Sequence, residues 1–192
     1  MLQIAEELSK LPPAEYLQMS NKPWDGGVIS MDKVVARYRE LLPATFEELP
    51  TDFAVAVFTT NGEYRIIDSG PLPEAVVASA AIPVVFQHVG VPGVGRCMDG
   101  GKHDRVGLDG WLARPRRRGG RPDMTLVHLI ARSSPFSGNS AVRGSGDTSV
   151  IVCRSPKSGV SLTSLGDFDD DVSRAYERAK VSIAAPAAFA KS

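Results

Sequence analysis

Phe53-Ala-Val-Ala-Val-Phe-Thr59, then Asn61-Gly62, then Tyr64-Arg-Ile-Ile67, is the stretch whose reading decides the fold. The first run has strand length, is rich in residues that favour strands and lacks polar alternation. It therefore predicts a central strand covered on both faces, as in the sheets of α/β proteins. Asn-Gly predicts a hairpin turn into the second strand. Downstream, Pro73-Glu-Ala-Val-Val-Ala-Ser-Ala-Ala81 predicts a helix that opens on proline and is closed by Pro83. Its small side chains let it pack very near a sheet. Upstream, Ser30 is placed to cap a helix from Met31 to Leu42, with Asp32 in the first turn. Val34, Tyr38 and Leu41 form its apolar stripe, and Pro43 ends it.

Working outward, Ile4, Leu8 and Leu11 predict a short amphipathic helix stopped by Pro12-Pro13, and residues 20–29 read as turn chemistry. Gly90 to Gly110 reads as a glycine-rich connection, and Arg114-Pro-Arg-Arg-Arg-Gly-Gly-Arg121 as a basic, Gly/Pro-broken loop. Met124 to Ala131 predicts a second buried-type strand and Ser149 to Cys153 a weaker third, with a polar loop from Ser133 to Asp147 between them. Near the end, Asp167, Asp169, Asp170 and Asp171 precede Val172, Tyr176 and Ala179, with Arg178 and Lys180 after. That order suits a helix dipole. The Ala-rich tail, 184–192, is expected to fray.

The length of 192 residues, with no repeat and no internal linker, fits one domain over 1–192. Twenty-two basic against 22 acidic residues exclude a generally basic nucleic-acid binder and an acidic disordered tail. Cys97 and Cys153 lie far apart in sequence. They form neither a disulfide framework nor a zinc pattern, and they fit a reducing compartment. No apolar run approaches the ~18 residues of a membrane span. The first ten residues carry acids where a signal peptide carries a basic end, so the expectation is a cytoplasmic protein.

Four landmarks then occur in order: Glu-Leu-Leu-Pro-Ala-Thr-Phe-Glu-Glu-Leu (40–49), Phe53 to Thr59, Gly70-Pro-Leu-Pro-Glu-Ala-Val-Val-Ala-Ser-Ala-Ala-Ile-Pro83 and Met98-Asp-Gly-Gly101. Together they resemble the patatin-like phospholipase family of lipid acyl hydrolases, most strongly over 30–110. The resemblance implies an α/β fold, the three-layer sandwich of the patatin and cytosolic phospholipase A catalytic domains, truncated here on its N-terminal side. It implies hydrolysis of phospholipid or galactolipid esters by a Ser–Asp dyad without histidine. In that scheme Asp99 is the general base and Gly100 and Gly101 form its supporting loop. It implies a lipid or membrane-surface substrate, peripheral membrane association, and no cofactor or metal.

The sequence also departs from the family. No Gly-x-Ser-x-Gly and no Gly-rich oxyanion loop occur in the 192 residues. In the family both precede the segment that begins here, so this chain is expected to carry the aspartate and not its serine, and to be inactive alone. The alternative expectation is a non-catalytic lipid- or protein-binding paralogue, or a gene fragment without activity. A complementing chain at the exposed sheet edge would fit either reading. Gly144-Ser145-Gly146 reads as a turn, Ser79 as a helix packing residue, and Ser134 and Ser137 as loop residues. His128 reads as a core histidine, and His88 and His103 match no metal spacing. Cys97 reads as packing. Arg114, Arg116, Arg117, Arg118 and Arg121 are candidate contacts for anionic lipid headgroups, against the plainer reading of a solvated basic loop.

Overall fold

The structure, a computed structural model, describes residues 18–115, 120, 122–131, 142, 148–155 and 168–184. The helix expected over residues 4–11, Ser134, Ser137, Ser145 and residues 185–192 of the tail lie outside the described residues, while Ala184 closes the last helix. The architecture is mixed α/β, with three sheets and four helices among the described residues.

The hairpin predicted from Asn61-Gly62 forms one side of the largest sheet, with its second strand at the edge. Strands β3 (Val55–Thr59) and β4 (Tyr64–Ile67) pair antiparallel, with Phe58 beside Tyr64. Thr59 O accepts from Gly62 N at 3.0 Å, and Thr59 N donates to Glu63 O at 2.8 Å. Gly62 takes φ +88°, a left-handed angle that glycine adopts without steric cost. The four-stranded order is β4-β3-β7-β6, with β6 (Val89–Val91) and β7 (Gly95–Asp99) both antiparallel to their neighbours. These two strands lie where the glycine-rich connection was expected. The turn between them holds Gly93 at φ +78° and Gly95 at φ +109°. Glycine there serves the tight turn of a hairpin, and that is why the composition reads as loop.

One face of β3 looks onto α2 (Leu72–Ser79), the helix expected from Pro73. Leu72, Ala75, Val77 and Ala78 are each at most 2% exposed, as is Val57 on the strand beneath. α1 (Asp32–Leu41) packs on α2 through Val34, Val35, Tyr38 and the following Leu42, so of the expected stripe Val34 and Tyr38 face the core while Leu42 takes the place expected for Leu41. Ser30 Oγ accepts from Asp32 N at 3.2 Å and donates to the Asp32 carboxylate at 2.9 Å at the helix start. The 20–29 turn region is shorter than expected. Gly27–Ser30 is strand β2, flanked by β1 (Gln18–Met19) antiparallel and β5 (Val84–Phe86) parallel.

The remaining elements gather around a second hydrophobic cluster. Strands β8 (Met124–Ile130) and β9 (Ser149–Ser155) pair in parallel, and Val127 and Leu129 pack with Leu108 and Leu112 of α3 (Leu108–Ala113). α4 (Phe168–Ala184) lies against β9 and begins with Asp169, Asp170 and Asp171. β8 is buried on one face only. Val127 and Leu129 are covered, while Met124, Leu126 and Ile130 are about half exposed or more. The apolar run that predicted a fully buried strand thus has one face open among the described residues.

Candidate active site

Asp99 is the last residue of β7, opposite Val57 on the central strand. Its backbone N–H donates to Ala81 O at 2.9 Å, tying the strand end to the segment that leaves α2. The chain then turns into a short 3-10 segment, Gly100–Lys102, which crosses the face of β3 away from α2. His103 N and Asp104 N both donate to Gly100 O, at 2.9 and 3.1 Å, closing the turn.

Neither Gly100 nor Gly101 has a left-handed φ, so backbone freedom is not their role. A Cβ on Gly100 would meet the backbone carbon of Ala56 at 2.5 Å and its carbonyl oxygen at 2.6 Å. Glycine is required because two backbones touch there. A Cβ on Gly101 would stand 3.0 Å from Asp99 Oδ1. The missing side chains therefore seat the turn on the sheet and let the Asp99 carboxylate fold back over it.

Asp99 Oδ1 accepts from Gly101 N at 2.8 Å. Oδ2 accepts no hydrogen bond from a described residue, so half of the carboxylate is held and half is open. Burial raises the Asp99 pKa above the ordinary carboxylate value, against the pull of the Gly101 N–H and the Arg105 charge. A carboxylate so placed is oriented, more basic than usual, and has one oxygen available to take a proton.

A platform of rings carries the far end of the turn. His103 stacks on Phe58 at 6.0 Å between centroids and leans on Tyr64 at 5.1 Å, while Lys102 Nζ lies 4.9 Å from the Phe58 ring centre. Tyr64 Oη is enclosed and makes no hydrogen bond among the described residues. Burial, aided by the Asp104 carboxylate, pushes the Tyr64 pKa up to about 12. Ala56, Phe58, Tyr64 and Arg105 were not singled out from sequence. Phe58 and Tyr64 read there only as strand residues, and nothing local marks their contact with a turn some forty positions on.

The other candidates separate. Ser79 Oγ donates to Val76 O at 2.7 Å within its own helix, as a packing residue would. Cys97 is fully buried, and burial raises its pKa; Cys153 is buried too. His128 is exposed, contrary to a core reading, and its Nε2 lies 2.8 Å from Ser155 Oγ. No group of three metal-ligating side chains occurs among the described residues. Arg114 is not in solvent, as a headgroup contact would be. Its side chain is 6% exposed, bonded to Asp68 at 2.8 Å and Asp52 at 3.4 Å, with its guanidinium carbon 3.9 Å from the Trp111 ring centre. Arg116, Arg117, Arg118 and Arg121 lie outside the described residues.

No protein-family model matches this chain, and no curated protein matches it.

Two substitutions test this geometry. Gly100→Ala forces the turn off Ala56 and should cost about 1–3 kcal/mol of stability in urea denaturation, the usual cost of overpacking. An unchanged midpoint would mean that the turn is not seated on β3. Tyr64→Phe removes an enclosed, unpaired hydroxyl and should gain about 1 kcal/mol near neutral pH. Its advantage should widen with alkali. The unfolded tyrosine loses its proton near pH ~10, the folded one only at about 12, so the wild type loses stability as pH rises through that window. A wild-type-minus-variant difference flat from pH ~9 to ~12 would contradict the burial of Tyr64.

Proposed function

We propose that this chain carries the general-base half of a patatin-like lipid acyl hydrolase, and that its mixed α/β elements are the later part of that family's three-layer sandwich. The observation that carries the reading is the Asp99 carboxylate, held on Oδ1 by Gly101 N and open on Oδ2 at the end of a sheet strand. In the reaction Oδ2 takes the proton of a serine hydroxyl while the serine oxygen attacks the ester carbonyl. The proton then passes to the departing alcohol oxygen, leaving an acyl-enzyme that water cleaves by the reverse transfer. The raised pKa suits this task, because a base accepts a proton more readily as its pKa approaches the working pH. The serine lies in no Gly-x-Ser-x-Gly of these 192 residues. The isolated chain is therefore a base without its nucleophile, and it would work on lipid esters only together with a segment that supplies one.

A second reading, a lipid- or protein-binding module without catalysis, is favoured by the open apolar residues of β8 and by Tyr176, Val181 and Ile183 exposed on α4. No helix among the described residues is long and apolar enough to cross a membrane. Association in this reading is peripheral, from a cytoplasmic location, with the Arg116–Arg121 segment meeting anionic headgroups. A complementing chain could instead add to a free strand edge.

Release of p-nitrophenol from p-nitrophenyl esters separates the two. The purified chain should show no turnover above background. Joined to a segment that carries a Gly-rich oxyanion loop and a Gly-x-Ser-x-Gly turn of the patatin-like type, it should turn over, and Asp99→Ala should lower the rate by about 10²–10⁴. Turnover indifferent to Asp99→Ala, or no turnover in the joined protein, would end the hydrolase reading. For the module reading, replacing Arg116, Arg117, Arg118 and Arg121 together by Ala should weaken sedimentation with anionic vesicles at least about a hundredfold, at about 1 kcal/mol per arginine. Unchanged sedimentation would remove the basic segment from any lipid contact.

A further inference from the structure

Glu74 is the only charged residue of α2 and is 8% exposed inside an otherwise apolar helix. Burying a carboxylate is costly unless it is paired, and the partner here is Arg39 at the end of α1. Arg39 Nε and Nη2 donate at 2.8 and 2.6 Å, both to the same oxygen, Oε1. A fork that normally spans both carboxylate oxygens here grips one. Oε2 is left without a hydrogen bond among the described residues, at the wall of a cleft of about 230 Å³.

The groups facing Glu74 across that cleft are mostly acceptors. Asp32, at the start of α1, has one carboxylate oxygen bonded to Ser30 and the other unengaged. Gln87 spends its amide nitrogen on Asp25 at 3.4 Å, which leaves its carbonyl oxygen free. His88 also lines the cleft, its ring packed against Gly26 so closely that no side chain fits there. Burial, and after it the Arg96 guanidinium, lower the His88 pKa, so the imidazole stands neutral at pH 7 with a ring nitrogen to accept. In charge the lining holds two carboxylates, Asp32 and Glu74, against one guanidinium, Arg39. The surplus is one negative charge and several lone pairs. Two carboxylates and one histidine do not gather as a metal site, since no such trio converges among the described residues.

We propose that this cleft binds the primary ammonium group of a small organic amine. A primary ammonium supplies one positive charge and three hydrogen-bond donors, which match Glu74 Oε2, Asp32 and Gln87 Oε1. Met31, Val35 and Val89 offer apolar wall for a short carbon chain. The ammonium has two sources, a free amine or the headgroup of an aminophospholipid. The second rests on the lipid-hydrolase reading and the first does not. Gln87 and His88 immediately precede β6, at the end of the ladder where β7 delivers Asp99, so a headgroup held here lies at the same end of the sheet as the general base.

Titration of the isotope-labelled full chain with ethanolamine, followed by amide NMR, tests the proposal. Saturable shifts are expected around residues 31–39, 74 and 87–90, with none for ethylene glycol, which matches ethanolamine in size and lacks the charge. Glu74→Gln should weaken binding about tenfold or more. Asp32→Asn, on the exposed rim and outside the Arg39 pair, should weaken it too, and it decides the matter if the first variant fails to fold. No saturable shift, equal shifts with ethylene glycol, or wild-type affinity in the folded variants would overturn the proposal. Flotation with phosphatidylcholine vesicles, with and without phosphatidylethanolamine, then assigns the source. Stronger binding with the aminophospholipid identifies the headgroup. Ethanolamine binding without that preference identifies a free amine. Neither assay reads ester turnover, so failure here is distinct from failure of the hydrolase reading.

Discussion

Helix α2 has almost no surface left for water, and most of the structure follows from that. Leu72, Ala75, Val77 and Ala78 are buried against β3, β6 and β7 on one side and against α1 on the other. Alanine and valine at these positions let the helix axis sit close to the strands, so a larger side chain would open the whole layer. The way in is fixed by Leu72 N donating to Ala44 O and Phe46 N to Gly70 O, both at 3.1 Å. The way out is fixed by Asp99 N donating to Ala81 O. The carboxylate of Asp99 and the carboxylate of Glu74 therefore hang on one buried rod, one beyond its end and one in its first turn.

Close approach of backbones recurs as the means of placing functional groups. Gly100 seats its turn on Ala56, Gly27 lies against Phe86 across the β2–β5 pair, and Gly26 lies under the His88 ring. In each case atoms of another segment occupy the space of a Cβ, and at Gly26 a left-handed φ of +99° calls for glycine as well. Such requirements link positions 44, 59 and 62 residues apart, and nothing in the local sequence announces them.

That separates what was legible in the sequence from what was not. The β3–β4 hairpin, the small-residue helix and the acid-first terminal helix were read from periodicity, turn chemistry and charge order, which are local properties. Strands β6 and β7 were missed because Gly90, Gly93 and Gly95 look like loop composition, whereas two of them serve the hairpin bend. The strand direction was illegible as well. An apolar run reports coverage on both faces, and β3 is covered by α2 on one and by the Gly100–Lys102 turn on the other, although its neighbours are antiparallel. Asp99 was marked by its motif. Its geometry, with one oxygen held and one open, depends on how the turn folds back and could not be read from the residues. Arg114 was grouped with its basic neighbours by sequence, and only the fold sets it between Asp52 and Asp68. Glu74 carries a local signal of its own, a lone charge in an apolar helix.

The apolar side chains form two clusters, one under α2 and one between α3 and the β8–β9 pair. Polar ties join the second to the rest, Arg114 to Asp52 and Asp68 and Arg105 to Ile130 O. The two clusters also touch directly, because a Cβ on Gly110 of α3 would stand 2.7 Å from the Ile66 side chain of β4. The two tryptophans sit at different places relative to that seam. Trp24 is exposed beside Asp25, before β2, and Trp111 belongs to α3, beneath Arg114. Trp111 fluorescence therefore reports order at the α3–β4 seam, and Trp24 fluorescence reports the edge of the small sheet.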